Sequence, residues 1–371
     1  MFELILITNK NKEENEYYIN DGIKRIIKKK NNLILLLKQE NIDILIYQFY
    51  NLEEINELNK LKEIKTIFIN RSCFLHWIYY NASSLLRKLY VAYKKASYVI
   101  SLIPFENNYL FKKWGINSIL MNNFIAYDYK SIVPSDLSSK TILMIGRAND
   151  KIKRFDLGIK SMKYIIEELP ECEMKIISRT RGVRNLKKLV KKLKLKKQIK
   201  FVGYNSDPHE YYKNASLHLF PTLAEAFPNV LSETLIYGIP NILAGLDYVS
   251  TSKGGGSIII YDDSPLSIAK ISVKILKDNK YRKKLGKEAR KNMKKYNNYL
   301  LLRKWVKLIV SIYNDRFFYK KLKRKKIEEH HSLQIIETQI KLLKFRKKKF
   351  QNITINDIIN FTFIKYLNNC L

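Results

Sequence analysis

The chain has 371 residues, with 69 Lys and Arg against 34 Asp and Glu, a formal net charge of +35. That length exceeds what one hydrophobic core usually serves, so two domains are expected, and 46% hydrophobic with 12% aromatic residues excludes global disorder. Three cysteines, Cys73, Cys172 and Cys370, lie far apart without CxxC spacing, which excludes a disulfide framework and a cysteine zinc site.

The first part of the chain alternates strand and helix signals. Strands are predicted at 2–8, 42–47, 65–70 and 97–102, with helices at 33–38, 52–61 and 83–95. Such alternation implies a parallel sheet covered on both faces. From Ser131 to Asp136 the periodicity lapses into a Pro/Ser/Asp-rich stretch, which reads as a linker.

The pattern then restarts. A strand at 141–145 runs into Gly146-Arg147, and a helix at 155–169 stops at Pro170. Strands at 173–178, 199–202 and 215–220 flank a basic helix at 186–195. The helix at 228–237 has Pro228 near its first turn, Gly238 just past its end and Pro240 beyond. Strands at 241–243 and 257–260 and helices at 265–277, 280–293 and 300–313 follow. Gly254-Gly255-Gly256 would let backbone approach a ligand, but reads first as a flexible turn before the last strand. Beyond Arg316, charge blocks at 320–326 and 344–349 bracket an apolar helix at 333–343. The expected fold class is α/β, with Rossmann-like domains over 1–135 and 136–316 and a basic helical tail over 317–371.

The charge has two readings. A field this positive draws polyanions, namely nucleic acid, phosphorylated substrates or an anionic membrane face. The plainer source is compositional drift, since Lys, Asn and Ile are heavy everywhere. Nucleic acid is disfavoured as a partner: interleaved Gly and aromatics are missing, and no zinc-finger or basic-zipper spacing is present. No apolar run approaches the ~18–20 residues of a membrane span. Met1-Phe2-Glu3-Leu4 lacks the layout of a leader. The expected location is the cytoplasm, with peripheral contact at the inner face of the membrane through the basic tail.

Two groups of residues can carry chemistry. Glu225 and Glu233 are separated by seven residues, the first in a loop leaving a strand and the second inside a helix. The start of that helix, around Pro228, offers unpaired N–H groups, and a carboxylate beside it would accept hydrogen bonds from sugar hydroxyls. The second group is Gly146-Arg147 at a strand end, with Lys153 and Arg154 close behind. Fixed cations at the carboxyl edge of a parallel sheet suit a diphosphate, with Arg gripping two oxygens and Lys acting as a point charge. In isolation each group also reads as ordinary solvated surface.

Together these motifs resemble the donor half of the group 1 (family 4) glycosyltransferases, which have the GT-B fold. The match runs from Thr141 to Tyr313 through Ile145-Gly146-Arg147, Lys153 to Leu157, Phe201 to Tyr204, Phe220 to Thr222, Glu225 to Glu233 and Tyr237 to Pro240. The resemblance implies transfer of a sugar from a nucleoside-diphosphate-sugar with anomeric retention, no bound metal and no cofactor. It implies a glycan or lipid-linked acceptor in cell-surface polysaccharide synthesis. By resemblance, Arg147, Lys153 and Glu225 are catalytic. Gly146, Ala226, Phe227, Pro228, Asn229, Val230 and Glu233 join them in donor binding, with Glu233 on the ribose.

The first half fits this family less well. Members usually open with a strand, a Gly-rich loop and a helix before the strand found at Phe2. Here the earliest glycine, Gly22, reads as a later turn, so the acceptor-side domain is expected to lack that unit. Relatives often place a His after the strand corresponding to 65–70, where this chain has Asn70-Arg71-Ser72. The nearest His is His76, whose aromatic neighbours read first as packing and only second as a site. The competing functions are a truncated, catalytically impaired homologue that still binds nucleotide, and a polyanion- or nucleic-acid-binding protein.

Overall fold

The computed structural model describes residues 3, 5–8, 24–27, 33–48, 52–58, 60–72, 76, 83–179, 182–204, 208–244, 248–252, 255–260 and 264–315. The tail with its helix at 333–343, the Gly22 turn and Gly254 lie outside the described residues.

In the first domain, β1 (Ile5–Thr8) pairs in parallel with β2 (Lys24–Ile27). β3 (Ile44–Tyr47), β4 (Lys65–Ile69), β5 (Tyr98–Ser101) and β6 (Ile119–Leu120) form a second parallel sheet in that order. β4 is buried from Thr66 to Ile69, the near-continuous burial expected of a parallel strand covered on both faces. The helices are α1 (Leu33–Gln39), α2 (Leu52–Leu58), α3 (Ser83–Lys95) and α4 (Pro104–Trp114). Neither α4 nor β2 was expected. The punctuation of α4 is nonetheless in the sequence, with Pro104 at its first turn and Gly115 closing it in the left-handed region (φ 63°).

The second domain is a six-stranded parallel sheet of order β12-β11-β10-β7-β8-β9. Its strands are β7 (Thr141–Ile145), β8 (Glu173–Ile177), β9 (Ile199–Gly203), β10 (Leu217–Phe220), β11 (Asn241–Leu243) and β12 (Ser257–Ile259). The helices are α5 (Phe155–Glu168), α6 (Val183–Lys192), α7 (His209–Lys213), α8 (Asn229–Ile236), α9 (Pro265–Lys277), α10 (Asn279–Met293) and α11 (Asn298–Tyr313). Pro228 is the cap of α8 rather than a member of its first turn, and α6 begins three residues before its expected start. The later helices have side-chain caps. Ser264 accepts from Ser267 N, Asp278 from Tyr281 N, and Asn297 from both Tyr299 N and Leu300 N.

The glycine turn before β12 serves close packing. A Cβ on Gly256, at φ 85°, would lie 2.4 Å from Ala289 of α10. The reading as a loose turn is thereby corrected.

The strand order reverses at β7. From there the chain winds outward through β8 and β9, then returns to lay β10 on the other side of β7. Loops leaving β7 and β10 diverge at such a switch point and open a crevice between them. Those loops also make the contact between domains. Ile152, Leu223, Ala224, Ala226 and Phe227 are buried in the hydrophobic cluster of the first domain, as are Leu308 and Ile312 of α11. Among the described residues, no helix is long and apolar enough to cross a membrane.

Candidate functional site

The loop after β7 opens at Gly146, whose φ of 149° favours glycine and whose N–H donates to the Ile177 carbonyl. Arg147 follows, 68% exposed along its side chain, with one guanidinium nitrogen 3.0 Å from Asp150 Oδ2. The other oxygen of Asp150 accepts from Ile152 N and caps a 3-10 turn over Lys151–Lys153. That turn ends at Arg154 in the left-handed region (φ 54°), and α5 starts at once with Phe155. A capped turn thus aims Lys153 back across the crevice.

There Lys153 is ion-paired with Glu225, in the loop after β10, and both side chains are largely covered. Lys153 also lies 5.9 Å from the centroid of the Phe220 ring at the end of β10. Ala226, Phe227 and Pro228 are buried, whereas Asn229 is exposed and Val230 half-buried. Asn123 of the first domain donates to the Phe227 carbonyl at 3.4 Å and to Asn229 Oδ1 at 3.1 Å. The carboxylate-bearing loop is therefore held from both domains.

Glu233 lies on α8, one turn beyond the cap, and accepts a 2.6 Å hydrogen bond from Tyr212 Oη. Burial raises the pKa of its carboxyl group, and the Tyr212 bond opposes that shift. Tyr212 belongs to an aromatic group with Tyr127, Tyr237 and His209, its ring 4.9 Å from that of Tyr237. His209 is bonded to Tyr237 Oη.

His76 comes to the cluster from the first domain. It is half-buried, and burial lowers its pKa, favouring the neutral ring. Asp150 and Glu225 pull the other way, while Arg147 and Lys153 add to the depression. Four groups of the second domain thus act on one imidazole of the first. His76 is therefore within electrostatic reach of the site. His218, in contrast, is fully buried on β10, bonded to Asn241 Oδ1 at 2.6 Å, with its pKa lowered to about 4 by burial.

The structure therefore brings Gly146, Arg147, Lys153, Glu225 and the 226–230 loop together, with Glu233 farther along α8. Sequence reasoning missed Asp150, Tyr212 and Asn123. Asp150 carried a signal as an Asp two residues before Ile152 in a turn. Asn123 lies in Met121-Asn122-Asn123-Phe124, which resembles a late acceptor-domain element of the family, and Tyr212 is brought in by tertiary packing and had no signal.

The arrangement can hold an anionic group between Arg147 and Lys153 while Glu225 accepts from hydroxyls beside it. Comparison with known proteins bears on the family and the fold. The family model for glycosyl transferases group 1 matches residues 128–292. An uncharacterized glycosyltransferase of Methanocaldococcus jannaschii is 26% identical over 123 residues, which are 33% of this chain and 29% of that protein. The matched part is thus less than a third of the relative's length. The sucrose-phosphate synthase of Thermosynechococcus elongatus superposes with a TM-score of 0.69 at 15% identity, covering 84% of this chain and 89% of that one. HepE of Anabaena, solved with UDP and glucose, gives 0.65 at 13% identity, covering 78% and 87%. Residues 128–292 are thus similar to the group 1 glycosyl transferases, and the chain has the GT-B fold.

Proposed function

We propose that the protein transfers a sugar from a nucleoside-diphosphate-sugar to a glycan or lipid-linked acceptor, with retention at the anomeric carbon. The observation that carries this reading is the grouping of Arg147, Lys153 and Glu225 at the switch point between β7 and β10, with His76 close enough to feel their charges. Solved GT-B neighbours bound to UDP and glucose support a nucleotide-linked donor.

In this mechanism the bond from the anomeric carbon to the diphosphate oxygen breaks, and the acceptor oxygen bonds that carbon from the same face. The acceptor proton passes to the departing phosphate oxygen. Arg147 and Lys153 meet the charge that develops on the diphosphate, the role a metal ion plays in other transferases. Glu225 accepts from the donor sugar's hydroxyls and orients the ring. Neutral His76, on the other wall, hydrogen-bonds the sugar. Glu233 accepts from the ribose hydroxyls. The reaction belongs to cell-surface polysaccharide synthesis at the inner face of the membrane, where the basic tail favours approach to anionic lipid.

Calorimetry across a panel of nucleotide-sugars tests the donor, followed by transfer assays on the binding one. Binding of one donor, with transfer abolished by Glu225→Ala and Arg147→Ala, is the expected result. Wild-type transfer by both variants, or no binding across the panel, would overturn the assignment.

A further inference from the structure

The helix that returns the chain to the first domain has two apolar faces, and one of them is bare. α11 turns Leu301, Trp305, Leu308 and Ile312 onto the first domain's core. A second stripe lies about a third of a turn away, at ~100° per residue. It comprises Tyr299, Leu302, Val306, Val310 and Tyr313, which are 65%, 51%, 42%, 38% and 58% exposed. Their spacing of three, four, four and three residues keeps them on one line along the helix. Scattered exposed leucines need no explanation, but an unbroken apolar line along sixteen residues of helix does.

The surrounding charge indicates what covers that line. Asn298–Tyr313 contains no Asp or Glu, and Arg303 and Lys307 border the stripe, with Lys304 beyond them. All three cations are exposed. The chain's own carboxy-terminal charge blocks, at 320–326 and 344–349, are also basic and would be repelled, which leaves the apolar segment 333–343 between them as the part of the tail that the test must separate from lipid. A second copy would oppose cations to cations across the same stripe. An apolar line edged by cations, lying flat on a surface, matches the boundary between headgroups and acyl chains of an anionic bilayer.

We propose that the outer face of α11 docks this protein on anionic phospholipid. Tyr299, Leu302, Val306, Val310 and Tyr313 seat at the acyl boundary, and Arg303, Lys304 and Lys307 lie among the lipid phosphates. The location has a consequence for the site. A groove beside the first turns of α11 is lined by Asn123, which bonds the Phe227 carbonyl in the loop that carries Glu225. The docking face thus adjoins the sugar-binding loop. The basic tail adds long-range attraction, but the stripe supplies the part of binding that salt does not screen. Docking is independent of sugar transfer, and nucleotide binding is read separately from it.

The test is sedimentation of the full chain with vesicles of phosphatidylglycerol and phosphatidylcholine, against phosphatidylcholine alone. Wild type should bind only the anionic vesicles and keep a bound fraction at about 0.5 M NaCl, where surface charge is largely screened. Combining Leu302→Ser, Val306→Ser and Val310→Ser should lower that salt-resistant partition by about tenfold or more, with unchanged Tm and nucleotide affinity. In a Val306→Trp variant, the emission in excess of wild type, which carries Trp77, Trp114 and Trp305, should shift to the blue on vesicles and be quenched by brominated lipid. Wild-type partition by the triple variant overturns the proposal and assigns binding to the tail. Blue-shifted excess emission before vesicles are added overturns it in favour of the chain's own tail as the cover. A concentration-dependent dimer that the triple variant abolishes, with vesicles ignored, overturns it in favour of a second copy.

Discussion

Lys153 Nζ is ion-paired with Glu225 Oε1, joining the loop after β7 to the loop after β10 across the switch point of the second sheet. In the proposed mechanism the two side chains have separate targets: the diphosphate for the lysine and sugar hydroxyls for the glutamate. With no donor bound, each neutralises the other. Donor binding therefore exchanges one ion pair for two sets of contacts, and the energies of the two residues are coupled.

That coupling gives opposite signs for two substitutions. Lys153→Ala removes a charged partner of the diphosphate and should weaken binding of the matching nucleoside diphosphate by about 10- to 100-fold. Glu225→Gln releases Lys153 from its pair and should tighten the same nucleotide by a few-fold. The nucleotide-sugar should gain nothing, because its sugar loses an acceptor, and transfer should fall by about 100-fold or more. Calorimetry with diphosphate and with sugar-diphosphate reads both effects. Equal weakening of the bare diphosphate by the two variants would refute the exchange.

Asp150 provides a second prediction. Its two oxygens serve the Arg147 guanidinium and the backbone N–H of Ile152. Asp150→Ala should cost about 1 kcal/mol of stability through the lost cap. It should also free Arg147, lowering diphosphate affinity several-fold through the entropy of ordering that side chain on the ligand. Asp150→Asn keeps the cap and should keep the stability while still loosening Arg147. Urea unfolding and calorimetry on the two variants separate the cap from the tether, and matched losses in both would count against this division.

The second domain was legible because its rules are local. A β-branched run ending in Gly146, a helix bracketed by Pro228 and Gly238, and cations placed just after a strand are all written within a few residues. α4 shows where local reading fails, since its apolar residues Phe105, Tyr109, Leu110 and Trp114 follow no clean amphipathic period and are sorted by packing against β5 and β6. The candidate site divides in the same way. Arg147, Lys153 and Glu225 stand out by type and place. Tyr212 is tied to Glu233 only because α7 packs beside α8, and His76 reaches the cluster only because the domains meet through the 221–228 loop. No spacing in one chain encodes a contact between elements that the fold alone brings together.

Tyr212 and Glu233 carry the third prediction. If Glu233 accepts from ribose hydroxyls, a 2′-deoxy donor should bind wild type about tenfold more weakly than the ribose form. Glu233→Gln should narrow that ratio toward one while leaving diphosphate contacts intact. Tyr212→Phe removes a hydrogen bond that opposes the burial shift, so the Glu233 carboxyl pKa should rise further. Discrimination should then fall off at a higher pH than in wild type. Competition titrations with paired ribose and deoxyribose nucleotides over pH measure this, and an unchanged ratio in Glu233→Gln would remove the residue from the ribose site.

Glu106 supplies a prediction about stability alone. It lies on the first turn of α4 and is 1% exposed. It accepts from Tyr93 Oη at 2.5 Å and from Asn70 Nδ2 at 3.2 Å, while its second oxygen has no partner among the described residues. Burial outweighs these bonds and raises its pKa from 4.5 to about 7. The sign follows from proton counting. Between pH 4.5 and 7 the folded protein keeps a proton that the unfolded chain releases, so stability falls as pH rises through that window and levels off above it. Glu106→Gln removes the titration and keeps an acceptor for Tyr93 and Asn70. The variant should match wild type near pH 4.5 and exceed it at pH 8, by at most about 3 kcal/mol. Urea unfolding of both proteins at several pH values gives the difference directly. A difference independent of pH would mean that Glu106 is ionised in the fold, and that its bonds with Tyr93 and Asn70 outweigh the cost of burying its charge.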